Sequence, residues 1–512
     1  MSRARNLARL AEATFERRGD YPALWFDGDW HSSGELFDRA QRIDLGVEPG
    51  DRVVVLMENS PDVGIAYHAI WRAGAVVTPA VFLLTREELE RLILDAEPAL
   101  VLTSETFADT ARAAAGDVRV VTGLAELEAA ESPIVDRDDS DLAALVYTGG
   151  TTGRAKGVML THANLFEAGR AGHEAGHVDG IDRSLSCLPL AHSYGLLVLN
   201  VALHHPGRQQ SVLMRWFDPE LWLQLAQEHR AQIAPLVPSM LYLLLQQPLE
   251  EYDLSELRYV ASGAAPLAVG AIDEFLRRVP GVQIREGYGL TETSALVSTN
   301  PPGRSKYGTV GPPVPGTEVR TVDDGEVCVR SELVMAGYWN APELTAETIR
   351  DGWLYTGDMG RLDEDGYLTI VDRKKELIIN AAGKNMSPAN IESNLKASSP
   401  LLGQAAVIGS GRSYNVALIV LDPDYAPVWA SQNDLEGKSV DELAGEEKVR
   451  DAVQAAVDQA NAKLSRVEQI KRFTVLAEQW EPGGDELTPT MKLKRKPIDE
   501  KYAEEIEALY SS

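Results

Sequence analysis

Apolar and polar positions follow two alternating textures along most of the chain. Arg52–Met57 (RVVVLM) is a short, continuous, valine-rich apolar run, as expected of a strand buried on both faces. Asp62–Arg72 then carries apolar residues at helical spacing, and Ala75–Thr78 returns to a buried strand. Thr85, with Glu88 three residues later, predicts a capping box that opens a helix running through Asp95, and Ala99–Thr103 predicts the next strand. An amphipathic helix is predicted earlier, over Leu7–Arg17. The rhythm resumes at Leu142–Tyr147, with further strands predicted at Ser184–Leu188, Ile233–Leu236, Arg258–Ser262 and Val282–Glu286. Between them Pro219–His229 and Leu267–Arg278 read as helices. Strands alternating with helices imply parallel sheets covered on both faces, hence an α/β fold.

Around Gly308–Arg330 the pattern changes to Gly/Pro-rich turns and short alternating strands, which predicts a β-barrel-like subdomain. Beyond Arg373 a shorter α+β segment follows, with a long helix at Glu447–Leu464. No repeat or low-complexity linker interrupts the chain. The boundary falls near Lys374–Lys375, giving a large N-terminal domain (1–373) and a small C-terminal domain (374–512).

Composition narrows the function. The 512 residues carry 49 Lys+Arg against 77 Asp+Glu, a formal net charge of −28. Such acidity excludes nucleic-acid polymers and anionic membranes as partners, because both select basic surfaces. A small phosphorylated ligand stays open, since it needs only a few donors. With 44% apolar and 25% charged residues, buried cores are expected and general disorder is not. Two cysteines, Cys187 and Cys328, exclude a disulfide framework and a cysteine-only zinc site. The basic start MSRARNLARL lacks a signal-peptide core, and no apolar run reaches the roughly 18 residues of a membrane span. The expectation is a soluble cytoplasmic protein; no part of the sequence specifies an oligomeric state.

Three familiar patterns fail on their chemistry. His173-Glu174-Ala175-Gly176-His177 matches HExxH, the pattern of zinc peptidases. The position where a longer metalloprotease pattern wants a third ligand is Arg183, and two glycines weaken the helix; a zinc peptidase is kept only as the alternative from another class. The glycine run from Gly149 lacks the second glycine of a Walker loop, where Arg154 and Ala155 stand. Asp363–Gly366 resembles part of a calcium loop, but Arg361 occupies the first ligand position, so a turn between strands is expected.

Tyr147–His162 (YTGGTTGRAKGVMLTH) carries the chemistry. A strand ends in a loop of Thr148, Gly149, Gly150, Thr151, Thr152 and Gly153, followed by Lys156 and a second strand. Glycines expose backbone N–H groups, hydroxyls donate to phosphate oxygens, and the lysine adds charge: a triphosphate loop outside the Walker class. The segment resembles the signature loop of the adenylate-forming superfamily, in particular its acyl-CoA synthetases. The resemblance recurs in order through SGAAPL (Ser262–Leu267), EGYGLTETS (Glu286–Ser294), AGYWNAPE (Ala336–Glu343), WLYTGD (Trp353–Asp358), VDRKK (Val371–Lys375) and PTMKLKRK (Pro489–Lys496).

The resemblance implies ATP, Mg²⁺ and a carboxylic acid as reactants. By it, Glu292 holds Mg²⁺ and Thr291 the α-phosphate, while Thr148, Thr151, Thr152 and Lys156 hold the β- and γ-phosphates. The motif Glu286, Gly287, Tyr288, Gly289 lines the adenine, with the Tyr288 ring facing it, and Asp358 and Arg373 hold the ribose. Lys492 is the adenylation lysine, brought in by rotation about a hinge at Lys375. His192, in LPLAHSYG, orients the acid or gates its channel, and Gly263, Ala264 and Ala265 line the acyl pocket.

Amino-acid-activating relatives place an aspartate after that histidine. Ser193 stands there instead, and a buried ammonium without a partner is costly. Together with apolar Leu196, Leu197 and Val198, this suits an aliphatic or aryl acid, a fatty acid above all. Leu377–Glu392 resembles the hinge-proximal loop of long-chain fatty-acyl synthetases, in which Gly383 lines a pantetheine channel, with Ala382 where those relatives carry glycine. Coenzyme A and the pantetheine of an acyl carrier protein would use the same channel. Acyl-AMP ligases that avoid CoA often carry an insertion ahead of the ribose motif; the 291–358 interval shows none, which favours CoA.

Overall fold

A computed structural model describes residues 5–148, 155–381, 384–481, 483–488 and 492–511. The residues group into two compact units. The first comprises Met1–Ala265, Phe275–Thr356 and Leu362–Thr369; the second comprises Pro266–Glu274, Gly357–Arg361 and Ile370–Ser512.

The first unit contains two large sheets built on parallel strands. In the seven-stranded sheet, Arg52–Leu56 lies between Val76–Ala80 and Leu100–Thr103 and pairs in parallel with both. Its run RVVVL buries both faces, as read from the sequence. Val53 and Val55 enter one core cluster, and Val54 and Leu56 enter another on the opposite face. Leu142–Thr148 extends the sheet in parallel, and Lys156–Thr161 returns antiparallel to it. The predicted capping box is present: Thr85 Oγ1 accepts the Glu88 N–H, and Glu88 accepts the Thr85 N–H, opening the helix Arg86–Ala96.

The eight-stranded sheet runs in the order Ser298–Thr299, Gln283–Tyr288, Tyr259–Ser262, Ile233–Leu236, Arg183–Ser186, Gln210–Leu213, Pro22–Phe26 and Asp29–Ser32. The inner six are parallel. The segment expected to be β-barrel-like supplies Thr317–Thr321 and Glu326–Ser331, the first two strands of a five-stranded sheet that continues with Trp353–Leu362 and Ile349–Arg350, with Leu368–Arg373 also paired to Trp353–Leu362. Asp363–Gly366 is the turn between two of these strands, where the Asp363 carboxylate accepts the Asp365 and Tyr367 N–H groups.

In the second unit Asn415–Leu421 lies between Leu402–Ile408 and Ile470–Leu476. Alternation again buries both faces. Ala417, Ile419 and Leu421 pack with Ile391, Leu395, Val449 and Val453 of the helices Pro388–Lys396 and Glu447–Asn461. Leu418 and Val420 pack with Trp480, Leu487, Ile498 and Tyr502. The long helix ends at Asn461, three residues before the predicted Leu464. Both cysteines are buried and free.

Candidate active site

The expected residues fall into two groups, one in each unit. In the first unit Thr148 ends one strand and Lys156 begins the next, and the two are antiparallel cross-strand partners. Gly149, Gly150, Thr151, Thr152 and Gly153 lie outside the described residues. The Lys156 ammonium sits over the Tyr338 ring, 5.1 Å from its centroid. The Tyr338 hydroxyl in turn donates to Glu292 Oε1 at 2.8 Å. One aromatic side chain thus stands between the predicted phosphate lysine and the predicted metal carboxylate. Tyr338 belongs to the AGYWNAPE landmark, but nothing in the sequence indicated that its hydroxyl meets Glu292.

Thr291 and Glu292 lie on a short 3-10 turn, Thr291–Thr293. Its approach is tight: a Cβ on Gly289 would fall 2.2 Å from the Ala295 carbonyl, so only glycine fits. Ser294 and Ala295 just beyond, and Ala264 in the acyl-pocket turn, adopt left-handed backbone that side-chain-bearing residues avoid. Strain of this kind collects where a site dictates the backbone path. Glu286 pairs with Ser262 in the parallel register of its strand and is buried. Burial pushes its carboxyl up to about 7, against the pull of the Gly308 N–H, which donates to Oε2 at 3.1 Å. Gly287 and Tyr288 pair with Thr299 and Ser298 on the edge strand.

The acyl-side residues are held by a second set of bonds. His192 caps the helix Ser193–His204, its Nδ1 accepting the Tyr194 N–H at 3.2 Å, which places the ring proton of the neutral form on Nε2. Ser193, the residue that replaces the amino-acid enzymes' aspartate, accepts the Thr291 hydroxyl at 3.1 Å. The threonine expected at the α-phosphate and the helix that begins at Ser193 are therefore directly joined. A Cβ on Gly263 would meet the Gly287 carbonyl oxygen and the Tyr194 ring, each at 3.5 Å, so the glycine opens the space between them.

Asn59 was not singled out in the sequence, yet it fixes the loop ahead of His192. Its Nδ2 donates to the carbonyls of Leu188 and Met214 at 3.0 and 3.1 Å, and its Oδ1 accepts the Leu190 N–H at 2.9 Å. It is buried, and all three of these bonds go to backbone.

In the second unit the Asp358 carboxylate is buried, and Arg373 Nε lies 3.3 Å from it. Lys374 donates its N–H to the Gly357 carbonyl, and Lys375 is exposed in the turn that follows. Lys492 is exposed; its N–H donates to the Thr488 hydroxyl at 3.0 Å, and its carbonyl accepts the Thr488 N–H at 2.8 Å. Gly383 and Ala382 lie outside the described residues.

The zinc-peptidase alternative fails in the structure. The helix His162–Gly176 ends before His177, which caps it with extended backbone, and the His173 and His177 rings pack against each other with centroids 4.7 Å apart. Glu174 is paired with Arg170 at 2.7 Å. Among the described residues no three His, Cys, Asp or Glu side chains are grouped to hold a metal ion. A magnesium ion asks for less. One carboxylate plus the phosphate oxygens of its nucleotide suffices, and Glu292, fixed by Tyr338 through one oxygen, fits that donor set.

The whole chain resembles known proteins in sequence and in fold. Residues 11–339 match the AMP-binding enzyme family, and residues 375–512 match the AMP-binding enzyme C-terminal domain. The chain is 40% identical to fadD11 of Mycobacterium tuberculosis, provisionally named a fatty-acid–CoA ligase, over 73% of this chain and 74% of that one. It is 34% identical to the long-chain-fatty-acid–CoA ligase FadD15 of the same organism, over 92% of this chain and 89% of that one. The ATP-bound structure of MatB from Rhodopseudomonas palustris superposes with a TM-score of 0.79 at 29% identity, over 98% of this chain and 99% of that one. Matched in both its segments and aligned with relatives over nearly its whole length, the chain belongs to the AMP-binding enzyme family.

Proposed function

We propose that the protein is an acid–thiol ligase that activates a fatty acid with ATP and Mg²⁺ and passes the acyl group to coenzyme A. The observation that supports this reading is the joined set Lys156–Tyr338–Glu292 and Thr291–Ser193, residues to which we assign phosphate, metal and acyl roles. The fatty-acid–CoA ligase names of the relatives support the substrate and the acceptor.

In the first half-reaction a carboxylate oxygen attacks the α-phosphorus of ATP. The bond to the β-phosphate oxygen breaks, and pyrophosphate leaves. Two anions must meet, so positive charge and hydrogen-bond donors have to be in place beforehand. Lys156 and the threonine hydroxyls Thr148, Thr151 and Thr152 supply them to the β- and γ-phosphates, Thr291 supplies one to the α-phosphate, and Lys492 supplies charge at the forming adenylate. Glu292 would hold Mg²⁺, which when bound would supply further charge neutralisation to the phosphates. Glu286, Gly287, Tyr288 and Gly289 line the adenine, Asp358 and Arg373 hold the ribose, and His192 orients the acid. Gly263, Ala264 and Ala265 line the acyl chain.

In the second half-reaction the thiol sulfur attacks the acyl carbonyl, the bond to AMP oxygen breaks, and AMP leaves with the electron pair. We assign the exchange between halves to rotation of the domain 374–512 about Lys375, which withdraws Lys492 and presents Gly383 to the pantetheine. No helix among the described residues is long and apolar enough to cross a membrane, and we place the enzyme in the cytoplasm, with its ATP and CoA.

The test is acid-dependent exchange of labelled pyrophosphate into ATP across a panel of fatty and aryl acids, followed by mass spectrometry of the CoA product. Lys492→Ala should abolish exchange while sparing thioester formation from supplied acyl adenylate. Absence of exchange with every acid refutes the reading, and equal loss of both halves refutes the role of Lys492.

A further inference from the structure

The second unit holds an ionic network that none of the roles above uses. Arg495 opens the helix Arg495–Lys501, three residues beyond Lys492. Its Nη1 and Nη2 donate to the two carboxylate oxygens of Glu392 at 2.8 and 2.9 Å. Its Nε lies 3.4 Å from the carboxylate of Glu376, the residue after Lys375. Glu392 is buried, and its Oε1 also accepts the Val407 N–H at 2.8 Å, which ties the pair to the three-stranded sheet.

The same helix, Pro388–Lys396, is held at its start by the hinge-side strand. Asp372 Oδ2 accepts the Ser387 hydroxyl at 2.6 Å and the Ala389 N–H at 3.1 Å, a carboxylate at a helix N-terminus. Asp372 directly precedes Arg373, so the ribose residue and this anchor share one strand. Burial works against charge on Arg495, but Glu392, Glu376 and Asp372 outweigh it and raise its pKa. On the other side Lys492 and Thr488 bond each other, and the Lys494 N–H donates to the Glu486 carbonyl at 2.7 Å. A bidentate guanidinium–carboxylate pair fixes angle as well as distance, so the segment leaving Lys492 has a defined direction.

From this continuity we infer that Arg495 and Glu392 are positioning residues for adenylation, locking the segment Lys492–Arg495 to the turn at Lys375 so that rotation there carries the lysine as part of one rigid body. The inference rests on the roles proposed above for Lys492 and Lys375. It separates the two half-reactions: adenylation needs Lys492 in place, and thioester formation does not.

The experiment uses the full chain and its variants Arg495→Met, Arg495→Lys and Glu392→Gln. Pyrophosphate exchange is measured with dodecanoate and ATP–Mg²⁺, and thioester formation with supplied dodecanoyl-AMP and CoA. Arg495→Met and Glu392→Gln should lower kcat for exchange about a hundredfold, the scale of an ångström misplacement, with KM for ATP within about twofold. Thioester formation should stay within about threefold of the parent, and Arg495→Lys should recover part of the exchange rate. Should a single variant unfold, the double variant Arg495→Met/Glu392→Gln removes both buried charges together and should show the same split. Equal loss in both half-reactions, or exchange at the parental rate, overturns the inference while the parent remains active. A parent inactive in exchange with every acid overturns the proposed function itself, and this inference with it.

Discussion

Glu286 offers a measurement that separates its protonation from its place in the nucleotide motif. Its carboxyl is raised from 4.5 to about 7 by burial, partly offset by the Gly308 N–H. Below about pH 4.5 it is protonated in the folded and unfolded chains alike. Between there and pH 7 only the unfolded chain ionises, so stability falls as pH rises; above pH 7 the loss is complete. A difference of that size corresponds to about 3 kcal/mol. Glu286→Gln keeps an oxygen to accept the Gly308 N–H but never ionises. The variant should match the parent near pH 4.5 and be more stable by up to about 3 kcal/mol at pH 8, a rise of roughly 3–6 °C in thermal midpoint. Thermal unfolding of ligand-free protein from pH 4.5 to 8.5 gives the difference curve directly, and other titrating groups cancel in it. A flat curve, or a glutamine variant less stable than the parent at pH 8, would refute the buried, protonated carboxyl.

Three further outcomes are expected. Tyr338→Phe removes the hydroxyl that orients Glu292 and should raise the Mg²⁺ concentration for half-maximal pyrophosphate exchange about tenfold, with saturated kcat little changed; an unaltered Mg²⁺ dependence counts against the assignment. Asn59→Ala leaves three buried backbone groups unpaired and should cost about 2–4 kcal/mol in urea unfolding, together with exchange activity, whereas a cost under about 1 kcal/mol would show the clamp to be dispensable. Gly263→Val fills the space between the Gly287 carbonyl and the Tyr194 ring, and should shift acid preference towards shorter chains in the exchange assay. An unchanged chain-length profile would remove Gly263 from the acyl pocket.

What the sequence revealed depended on how local the cause was. Arg52–Leu56 and Thr85–Glu88 were legible because a buried strand and a capping box are written in consecutive residues. Gln210–Leu213 and Pro22–Phe26 escaped, being short strands whose burial comes from neighbours distant in the chain. The end of the helix before His177 escaped as well, since HExxH spacing says nothing of where the backbone turns extended. The same division holds in the site. Glu292, Asp358 and Lys492 stand in motifs, whereas the bonds from Tyr338 to Glu292, from Asn59 to Leu188 and from Arg495 to Glu392 join residues far apart, with no local pattern to announce them.

The two buried cysteines acquire a meaning from the chemistry around them. Cys187 lies in the segment leading to His192, and burial pushes its thiol up to about 12; burial also raises Cys328. At pH 7 the thiolate fraction of Cys187 is then on the order of 10⁻⁵. An enzyme that generates an acyl adenylate makes a reagent able to acylate its own side chains, and it handles an acceptor prone to mixed disulfides. Keeping both thiols protonated and covered spares the protein self-acylation and capture by oxidised acceptor, so the external thiol is the nucleophile that receives the acyl group.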